Sequence, residues 1–204
     1  VNNMAVNGGA AYIISYPNII DSCKFTDNIA DESAGALYLA SDNNTVKNSI
    51  FRNNSAKIAG AIYSDVNDDL YILNSTFNNN SAEELGGAIM IDCYANIANS
   101  TFYGNNAKIG GAIYSDGETE FINSSFFKNK ADKGGAMNVN EGTITNSTFV
   151  KNIANESGGA IYISGDFYMN KIYFSENTAG NESNNIYLDD AHVTVNLDMK
   201  VDIK

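Results

Sequence analysis

Short alternations of apolar and polar residues recur along the whole chain and are separated by Gly, Asn and Asp. Residues 112–115 and 120–123, for example, alternate and then stop at such a boundary. Alternation with a period of two, ended by turn-forming residues, predicts short β-strands. No segment keeps an apolar period of 3.6 residues for the length of a stable helix, so the helical solenoids are excluded.

The alternation belongs to a repeat. A block of two small residues, Ala and an apolar residue returns every 24 to 27 residues, with its alanines at Ala10, Ala36, Ala61, Ala88, Ala112, Ala136 and Ala160. Between these blocks runs the pattern Phe-x-x-Asn-x-Ala, with its phenylalanines at Phe25, Phe51, Phe77, Phe102, Phe126, Phe149 and Phe174. Residues 184–188 are a degenerate eighth copy of the first block. A fixed period of this length is typical of a solenoid, in which each repeat contacts only its neighbours.

We therefore predict an all-β fold, a right-handed parallel β-helix of about eight coils, each with roughly 24–27 residues and three short strands. Neighbouring coils should stack about 4.8 Å apart. We expect residues 1–190 to form this β-helix. In residues 191–204 the apolar positions alternate through Val193, Val195 and Leu197, which predicts a terminal strand or the start of a following module.

Each coil should bury two positions of its first strand and one phenylalanine. The positions one and three residues after the alanine should point inward, because side chains alternate faces along a strand. They are Ala11, Leu37, Ile62, Ile89, Ile113, Met137, Ile161 and Ile186, followed by Ile13, Leu39, Ser64, Ile91, Ser115, Val139, Ile163 and Leu188. Stacked phenylalanines should each add about 2 to 3 kcal/mol of transfer free energy.

Small and polar residues should form the corners of the coil. The paired glycines before each alanine allow a tight corner with φ values that other residues resist. The Asn of each Phe-x-x-Asn should lie at a bend, where it tolerates left-handed backbone and its amide bonds the equivalent Asn in neighbouring coils. We predict a structural role for this Asn rather than a ligand contact.

The charge balance limits the partners. The chain has 24 acidic and 12 basic side chains, a net charge of −12, so we predict no binding to nucleic acid and no attraction to an anionic membrane. No apolar run is long enough to span a membrane, so we predict no membrane insertion by this chain. A neutral or cationic partner is easier to reconcile with this charge, and we expect a monomer.

Few residues suggest reactive chemistry. Cys23 and Cys93 should lie about three coils apart, beyond the reach of a disulfide, and we predict two free, buried thiols. The single histidine, His192, has no Cys, Asp or Glu at metal-ligand spacing, so we predict no catalytic or metal-binding role for it.

The two blocks together carry a resemblance to known repeats. The Gly-Gly-Ala-Ile and Phe-x-x-Asn pair, clearest at residues 77–89 and 102–113, resembles the repeat of chlamydial polymorphic outer-membrane proteins. It is also similar to adhesin-like proteins of methanogenic archaea, which the Asn-Ser-Thr-Phe tetrads at Asn74, Asn99 and Asn146 resemble more. The resemblance covers roughly residues 8 to 188. It implies a right-handed β-helix displayed outside the cell, involved in attachment and without catalytic residues.

Between the two inward columns lies an outward column that is rich in tyrosine, and aspartates follow it two residues later. We predict that this face binds the ligand through Tyr38, Tyr63, Asp65, Met90, Asp92, Tyr114, Asp116 and Tyr162. Tyrosine rings would be platforms for a sugar, and the carboxylates would accept hydrogen bonds from its hydroxyls. The alternative is that tyrosine simply suits a half-exposed sheet surface and packs on its neighbours.

No cofactor is expected, with one reservation. Asp65, Asp92 and Asp116 should repel one another in a stack, which would favour a bound Ca²⁺, although screening by solvent is sufficient.

The sequence thus predicts a fragment of an extracellular, cell-surface adhesin. It would be a stalk or a binding region, and its partner a surface glycan or a protein of another cell. The competing function is a polysaccharide lyase or glycoside hydrolase. A hydrolase would need paired carboxylates on the outward face, whereas a lyase would need a strong base near bound Ca²⁺, and the only arginine, Arg52, follows a core phenylalanine on another strand. Catalytic sites usually interrupt a repeat with long loops, and here only residues 65–71 depart much from the pattern, so we predict that the chain is not an enzyme.

Overall fold

Equivalent strands of successive repeats pair side by side along the whole stack. The computed structural model describes residues 1–15, 17–41, 43–64 and 69–196, and within these ranges it contains β-strands and no helix. Accordingly, none of the described residues forms a helix that could cross a membrane. Strand pairing between coils is parallel, with one antiparallel pair near the C-terminus. The prediction of an all-β parallel β-helix is confirmed.

The strands form four faces, named sheets I to IV in chain order. Sheet I contains Met4–Asn7, Ile29–Ser33, Ser55–Ile58, Ser81–Leu85, Lys130–Lys133, Ile153–Ser157, Thr178–Ala179 and Glu182–Ser183. Sheet II contains Ala11–Ile13, Leu37–Leu39, Ile62–Ser64, Ile89–Ile91, Ile113–Ser115, Met137–Val139, Ile161–Ile163 and Ile186–Leu188. Sheet III contains Asn18–Asp21, Asn44–Lys47, Leu70–Leu73, Ala95–Ala98, Thr119–Ile122, Gly142–Thr145, Phe167–Asn170 and Val193–Val195. Sheet IV contains Lys24–Thr26, Ile50–Arg52, Thr76–Asn78, Thr101–Tyr103, Ser125–Phe127, Thr148–Val150 and Tyr173–Ser175.

Sheets II and III each hold eight strands and sheet IV holds seven, so the stack has about seven full coils and part of another. Sheet I is divided because the coil at Asn106 and Ile109 joins it only through isolated bridges. Each regular coil therefore contains four strands, and the predicted number of three is wrong. The reason is a corner at residues such as Asn123, whose φ of 50° ends one strand and starts the next in a different sheet.

The predicted core columns lie in register inside the coils. Phe102 pairs with Phe77 on one side and Phe126 on the other, with ring centroids 4.8 and 4.9 Å apart and ring planes inclined by 4°. The aliphatic columns are buried in the middle of the stack, whereas Leu188 near its end is 47% exposed. The core is thus one continuous apolar column that runs along the axis of the stack.

The two small residues before each alanine have different roles. The first has left-handed backbone, with φ of +65° at Gly110 and 61° at Ala34. At the second the neighbouring coil leaves no room for a side chain, since a Cβ on Gly111 would lie 2.1 Å from the carbonyl oxygen of Gly135. The prediction that both glycines supply unusual φ values is therefore correct only for the first.

The asparagine ladder is confirmed and is wholly buried. The Asn80 side chain donates to Oδ1 of Asn105 over 3.1 Å and to the carbonyl of Phe51 over 3.1 Å. The backbone N–H of Asn80 also donates to Oδ1 of Asn105, over 2.9 Å. The expectation of left-handed backbone at this Asn is wrong, because the positive φ belongs to the preceding residue, such as Asn79 with 53°.

A second ladder explains the Asn-Ser pairs three residues before the phenylalanines. The backbone N–H of Ser75 donates to Oγ of Ser100 over 3.2 Å, and Oγ of Ser75 donates to the carbonyl of Leu73 over 2.9 Å. The preceding Asn74 has φ of 50° and makes the corner. Asn therefore provides the left-handed backbone of the corner, and Ser provides the buried hydrogen bonds.

Cys23 takes the serine position in the first coil, where its backbone N–H donates to Oγ of Ser49 over 3.1 Å. Both cysteines are free thiols, as predicted. Cys93 is buried, and burial raises the pKa of its thiol. The prediction of burial is wrong for Cys23, which is half-buried because it lies in the outermost described coil.

The C-terminal tail begins as part of the stack. Val193–Val195 pairs in parallel with Phe167–Met169 and so adds a strand to sheet III. Leu197 and the rest of the chain lie outside the described residues. The division at residue 190, with a terminal strand or a new module beyond it, stays a prediction.

Candidate functional site

The outward column predicted from the sequence forms one row across sheet II. Parallel pairing aligns Tyr12, Tyr38, Tyr63, Met90, Tyr114, Asn138, Tyr162 and Tyr187 in successive coils. Tyr38, Tyr63 and Tyr114 are half-buried. The row is therefore a surface feature along most of its length.

Two members of the predicted ligand-binding set are too deeply covered to meet a ligand. Met90 is 8% exposed and Tyr162 is 7% exposed. Met90 lies in register between Tyr63 and Tyr114, two larger side chains. Tyr162 stacks on Tyr187 with centroids 5.1 Å apart, and Nζ of Lys133 lies 5.4 Å from its ring centroid. The prediction of Met90 and Tyr162 as exposed contact residues is therefore wrong.

Ring faces in this row are directed at one another. The rings of Tyr12 and Tyr38 are 4.5 Å apart and inclined by 13°, and those of Tyr38 and Tyr63 are 4.9 Å apart and inclined by 46°. Stacked neighbours occupy faces that a sugar ring would need. This geometry favours contact through ring edges and hydroxyls over stacking on open platforms.

The aspartates that follow the row accept hydrogen bonds from its hydroxyls. Tyr63 donates to Oδ2 of Asp92 over 2.9 Å, and Tyr114 donates to Oδ1 of Asp116 over 3.2 Å. Burial, together with the charge of Asp116, raises the pKa of Tyr114 to about 12. Each carboxylate keeps further lone pairs for other donors. Asp65, the third aspartate of the predicted stripe, lies outside the described residues.

A second group of aromatic and acidic side chains lies across the turn, at the start of sheet III, and was missed by the sequence prediction. Tyr71 donates to Oδ2 of Asp69 over 2.7 Å, and Nδ2 of Asn96 donates to Oε2 of Glu120 over 2.8 Å. Burial and a hydrogen bond to Glu120 raise the pKa of Tyr94 to about 12. The sequence pattern that could have revealed this second group is the register of the strand after the turn, which aligns Tyr71, Asn96 and Glu120.

The exposed and half-buried side chains on both sides of this turn form one surface, which we name the tyrosine–carboxylate surface. It consists of Tyr38, Tyr63, Asp69, Tyr71, Asp92, Tyr94, Tyr114, Asp116 and Glu120. It offers ring edges, hydroxyls and carboxylate oxygens. Such groups suit a partner that donates hydrogen bonds or carries positive charge.

The described ranges contain no group of three or more His, Cys, Asp or Glu side chains arranged to hold a metal ion. The calcium hypothesis also involves Asp65, so it stays a hypothesis. His192 lies beside Asp166 and Tyr168 in an open depression near the end of the stack, and its predicted lack of a catalytic role stays a prediction.

Comparison with known protein families finds a similarity in three of the repeats. The model of the Chlamydia polymorphic membrane protein repeat matches residues 74–92, 99–116 and 146–164. Each match runs from the Asn-Ser-Thr-Phe tetrad to the end of the next sheet II strand or just beyond it. No curated protein and no solved structure matches the chain, and the archaeal part of the resemblance finds no support. Three segments of the chain are thus similar to the repeat of the chlamydial polymorphic membrane proteins, a family associated with the outer membrane and the cell surface.

Proposed function

We propose that this chain is part of an extracellular, cell-surface adhesin whose β-helix attaches to a glycan or a protein of another cell. The observation that carries the proposal is the threefold match to the repeat of a surface-associated family. The tyrosine–carboxylate surface is the proposed contact region. Its tyrosines and acidic side chains gather at one turn of consecutive coils.

The chemistry of that surface defines the partner. Its charged members are the carboxylates Asp69, Asp92, Asp116 and Glu120, which accept hydrogen bonds from hydroxyl or ammonium groups. Because the tyrosine hydroxyls already donate to carboxylates, an incoming donor would share those oxygens and lie against ring edges. A neutral or amino-bearing glycan, or a basic protein surface, meets these requirements.

A passive stalk is the second candidate, and the buried ladders favour it. The asparagine ladder reaches from Asn3, which donates to Asn28, to Asn177, which donates to Asn185. Hydrogen bonds and stacked phenylalanines repeated in every coil make a stiff rod that could hold a binding tip away from the cell.

A polysaccharide lyase or glycoside hydrolase is the competing class, and we propose against it. In a hydrolase carboxylates like Asp92 and Asp116 would act on the glycosidic bond. Both already accept hydrogen bonds from tyrosine hydroxyls, which supports a role in the surface itself. Release of reducing ends or unsaturated uronates from polysaccharides incubated with the chain would contradict this view.

The attachment proposal is tested with the purified chain on cultured cells and on arrayed glycans. The double variant Tyr63→Ser/Tyr114→Ser should lose binding while its circular dichroism spectrum stays that of the wild type. The matched control, Tyr168→Ser/Tyr173→Ser, changes two tyrosines of other sheets that are 38% and 53% exposed, and should bind normally. If both variants bound equally well, the contact region would lie outside the tyrosine–carboxylate surface. If the wild type bound no cell and no glycan, the passive stalk would remain as the candidate function.

A further inference from the structure

Positive charge is concentrated at one corner of the middle coils, although the chain as a whole is acidic. Of the 12 basic residues, five fall between residues 104 and 151: Lys108, Lys128, Lys130, Lys133 and Lys151. Lys128 and Lys151 lie at the corner between sheets IV and I, and Lys130 is the first residue of the following sheet I strand. The acidic side chains Asp116, Glu118 and Glu141 of the same coils lie at the other turn, between sheets II and III, whereas Asp132 and Glu156 lie on sheet I.

These cations are poorly neutralised. Lys108, Lys128 and Lys130 form no ion pair with any residue in the described ranges, whereas Lys151 pairs with Glu176 over 3.4 Å. The nearby Asp132 accepts a hydrogen bond from Asn155 over 2.7 Å. At physiological ionic strength charges are screened beyond about 8 Å. A ligand at this corner would therefore respond to the local lysines rather than to the net charge of −12.

The backbone at this corner is unfavourable for lysine. The same corner is formed by Asp27, Asn53 and Asn79 in earlier coils, with φ of 56°, 52° and 53°, then by Gly104, by Lys128 and Lys151 with φ of 55° and 57°, and by Glu176 with 56°. Left-handed backbone favours Gly and Asn and disfavours longer side chains. Lys128 and Lys151 occupy this position in two consecutive coils, and both side chains are exposed.

A row of two aromatic rings and one valine lies beside the lysines. Tyr103, Phe127 and Val150 are in register on sheet IV, one residue before the corner. Tyr103 is 38% exposed, and Phe127 and Val150 are half-buried. Nζ of Lys128 lies 3.2 Å from the hydroxyl of Tyr103 and 5.4 Å from its ring centroid. The two rings and the two corner lysines thus lie in neighbouring rows along the axis of the stack.

We infer that this basic corner, made of Tyr103, Lys108, Phe127, Lys128, Lys130 and Lys151, binds an anionic linear polysaccharide laid along the stack. Lysines one coil apart, about 4.8 Å, match a chain that carries a sulfate or carboxylate on successive sugars. The adjacent rings contact the sugar faces. This surface goes beyond the proposed attachment site, because it lies at the opposite corner of the coil and selects the opposite charge.

Two other anionic partners fit less well. Docking on an anionic membrane uses apolar side chains that insert between headgroups, and Phe127 and Val150 are half-buried in a flat sheet. An acidic peptide could add as a strand only at a free sheet edge, and Thr101–Tyr103 and Ser125–Phe127 are paired on both sides.

The test measures the affinity of the full chain for a size-defined sulfated glucosamine–uronate oligosaccharide by calorimetry. Binding should weaken as ionic strength rises, and the desulfated oligosaccharide and neutral dextran should bind at least about tenfold more weakly. Phosphatidylserine vesicles or polyglutamate that bound as tightly as the sulfated oligosaccharide would overturn the inference.

The decisive variant is Lys128→Asn/Lys151→Asn, because it separates binding from folding. Affinity should fall about tenfold, while the melting temperature holds or rises since Asn suits the left-handed corner. The control Lys24→Asn/Lys171→Asn makes the same change in charge, and Lys171 has a φ of 55° at another corner. It should bind within about twofold of the wild type. Unchanged affinity in the first variant, or an equal loss in both, would refute a polysaccharide site at this corner.

Discussion

The hydroxyl of Tyr63 donates a hydrogen bond of 2.9 Å to Oδ2 of Asp92, which lies one coil further along the stack. This bond links two columns that the sequence shows separately, the outward tyrosines and the aspartates that follow them. It is partly exposed, so it competes with water at each end. The surface is therefore partly satisfied by its own side chains before any partner arrives.

Tyr63→Phe removes this hydrogen bond and keeps the ring. We expect the free energy of unfolding to fall by less than about 1 kcal/mol, because water replaces the hydroxyl at Asp92. Urea unfolding measures this difference. A loss of several kcal/mol would instead assign the pair to the stability of the coil and remove it from the candidate site.

High pH should destabilise the fold through its tyrosines. The unfolded chain loses tyrosine protons near pH 10, whereas the folded chain holds the pKa of Tyr114 and Tyr162 at about 12. Between these values the folded state binds more protons, so stability is complete below pH 10 and falls as the pH rises towards 12. Urea unfolding across this range should show the decline. Tyr162→Phe should reduce it, and Tyr173→Phe, at a side chain 53% exposed, should leave it as in the wild type.

The buried asparagine ladder should be the costliest polar feature to interrupt. Asn105→Ala leaves the backbone and side-chain N–H groups of Asn80 without their acceptor, and each buried unsatisfied group costs about 1 to 3 kcal/mol. We expect a loss of about 3 kcal/mol or more by urea unfolding. Asn99→Gly keeps the left-handed corner and removes only an exposed hydrogen bond. A similar loss of unfolding free energy in both variants would show that the buried ladder stabilises the fold no more than an exposed hydrogen bond does.

The sequence predicts those features of the structure that follow from the spacing of the repeats. It does not predict features that arise only when the coils close and pack on one another. The inward columns and the phenylalanine stack follow from spacing alone, as the register of Phe77, Phe102 and Phe126 shows. Adjacent Asn79 and Asn80 look equivalent in the sequence. Only the closed coil shows that the first turns the backbone and the second enters the core.

The candidate site was less predictable for the same reason. Tyr162 is covered by Lys133 and Tyr187, which lie far from it in sequence. Tyr94 acquires Glu120 as a partner only after two strands of sheet III align. Alternation reveals which face a side chain occupies. Exposure on that face depends on side chains from neighbouring coils.

Calcium should have no effect on stability if the aspartates act as partners of tyrosine. We expect about 1 mM Ca²⁺, a concentration that fills weak extracellular sites, to leave the melting temperature unchanged, as should a chelator. The reason is that Asp92 and Asp116 already accept hydrogen bonds from Tyr63 and Tyr114. A rise of several degrees with Ca²⁺ that disappears in Asp92→Asn/Asp116→Asn would establish the calcium site instead.

The glycine pair provides a test of the coil-to-coil contact. A Cβ at residue 111 would lie 2.1 Å from the carbonyl oxygen of Gly135, and two backbones cannot separate without breaking their hydrogen bonds. Gly111→Ala should therefore cost more than about 3 kcal/mol, a loss in the range of severe core defects. Gly110→Ala places Ala at a φ of +65°, with a Cβ 2.2 Å from the carbonyl oxygen of Ile113 in the same coil. Ala34 and Ala59 occupy this position in other coils with φ of 61° and 56°, so a small shift within the coil makes room for the substitution. Its cost should be only about 1 to 2 kcal/mol. Urea unfolding of both variants decides the matter, and an equal cost would mean that left-handed backbone, rather than the approach of the next coil, selects glycine at both positions.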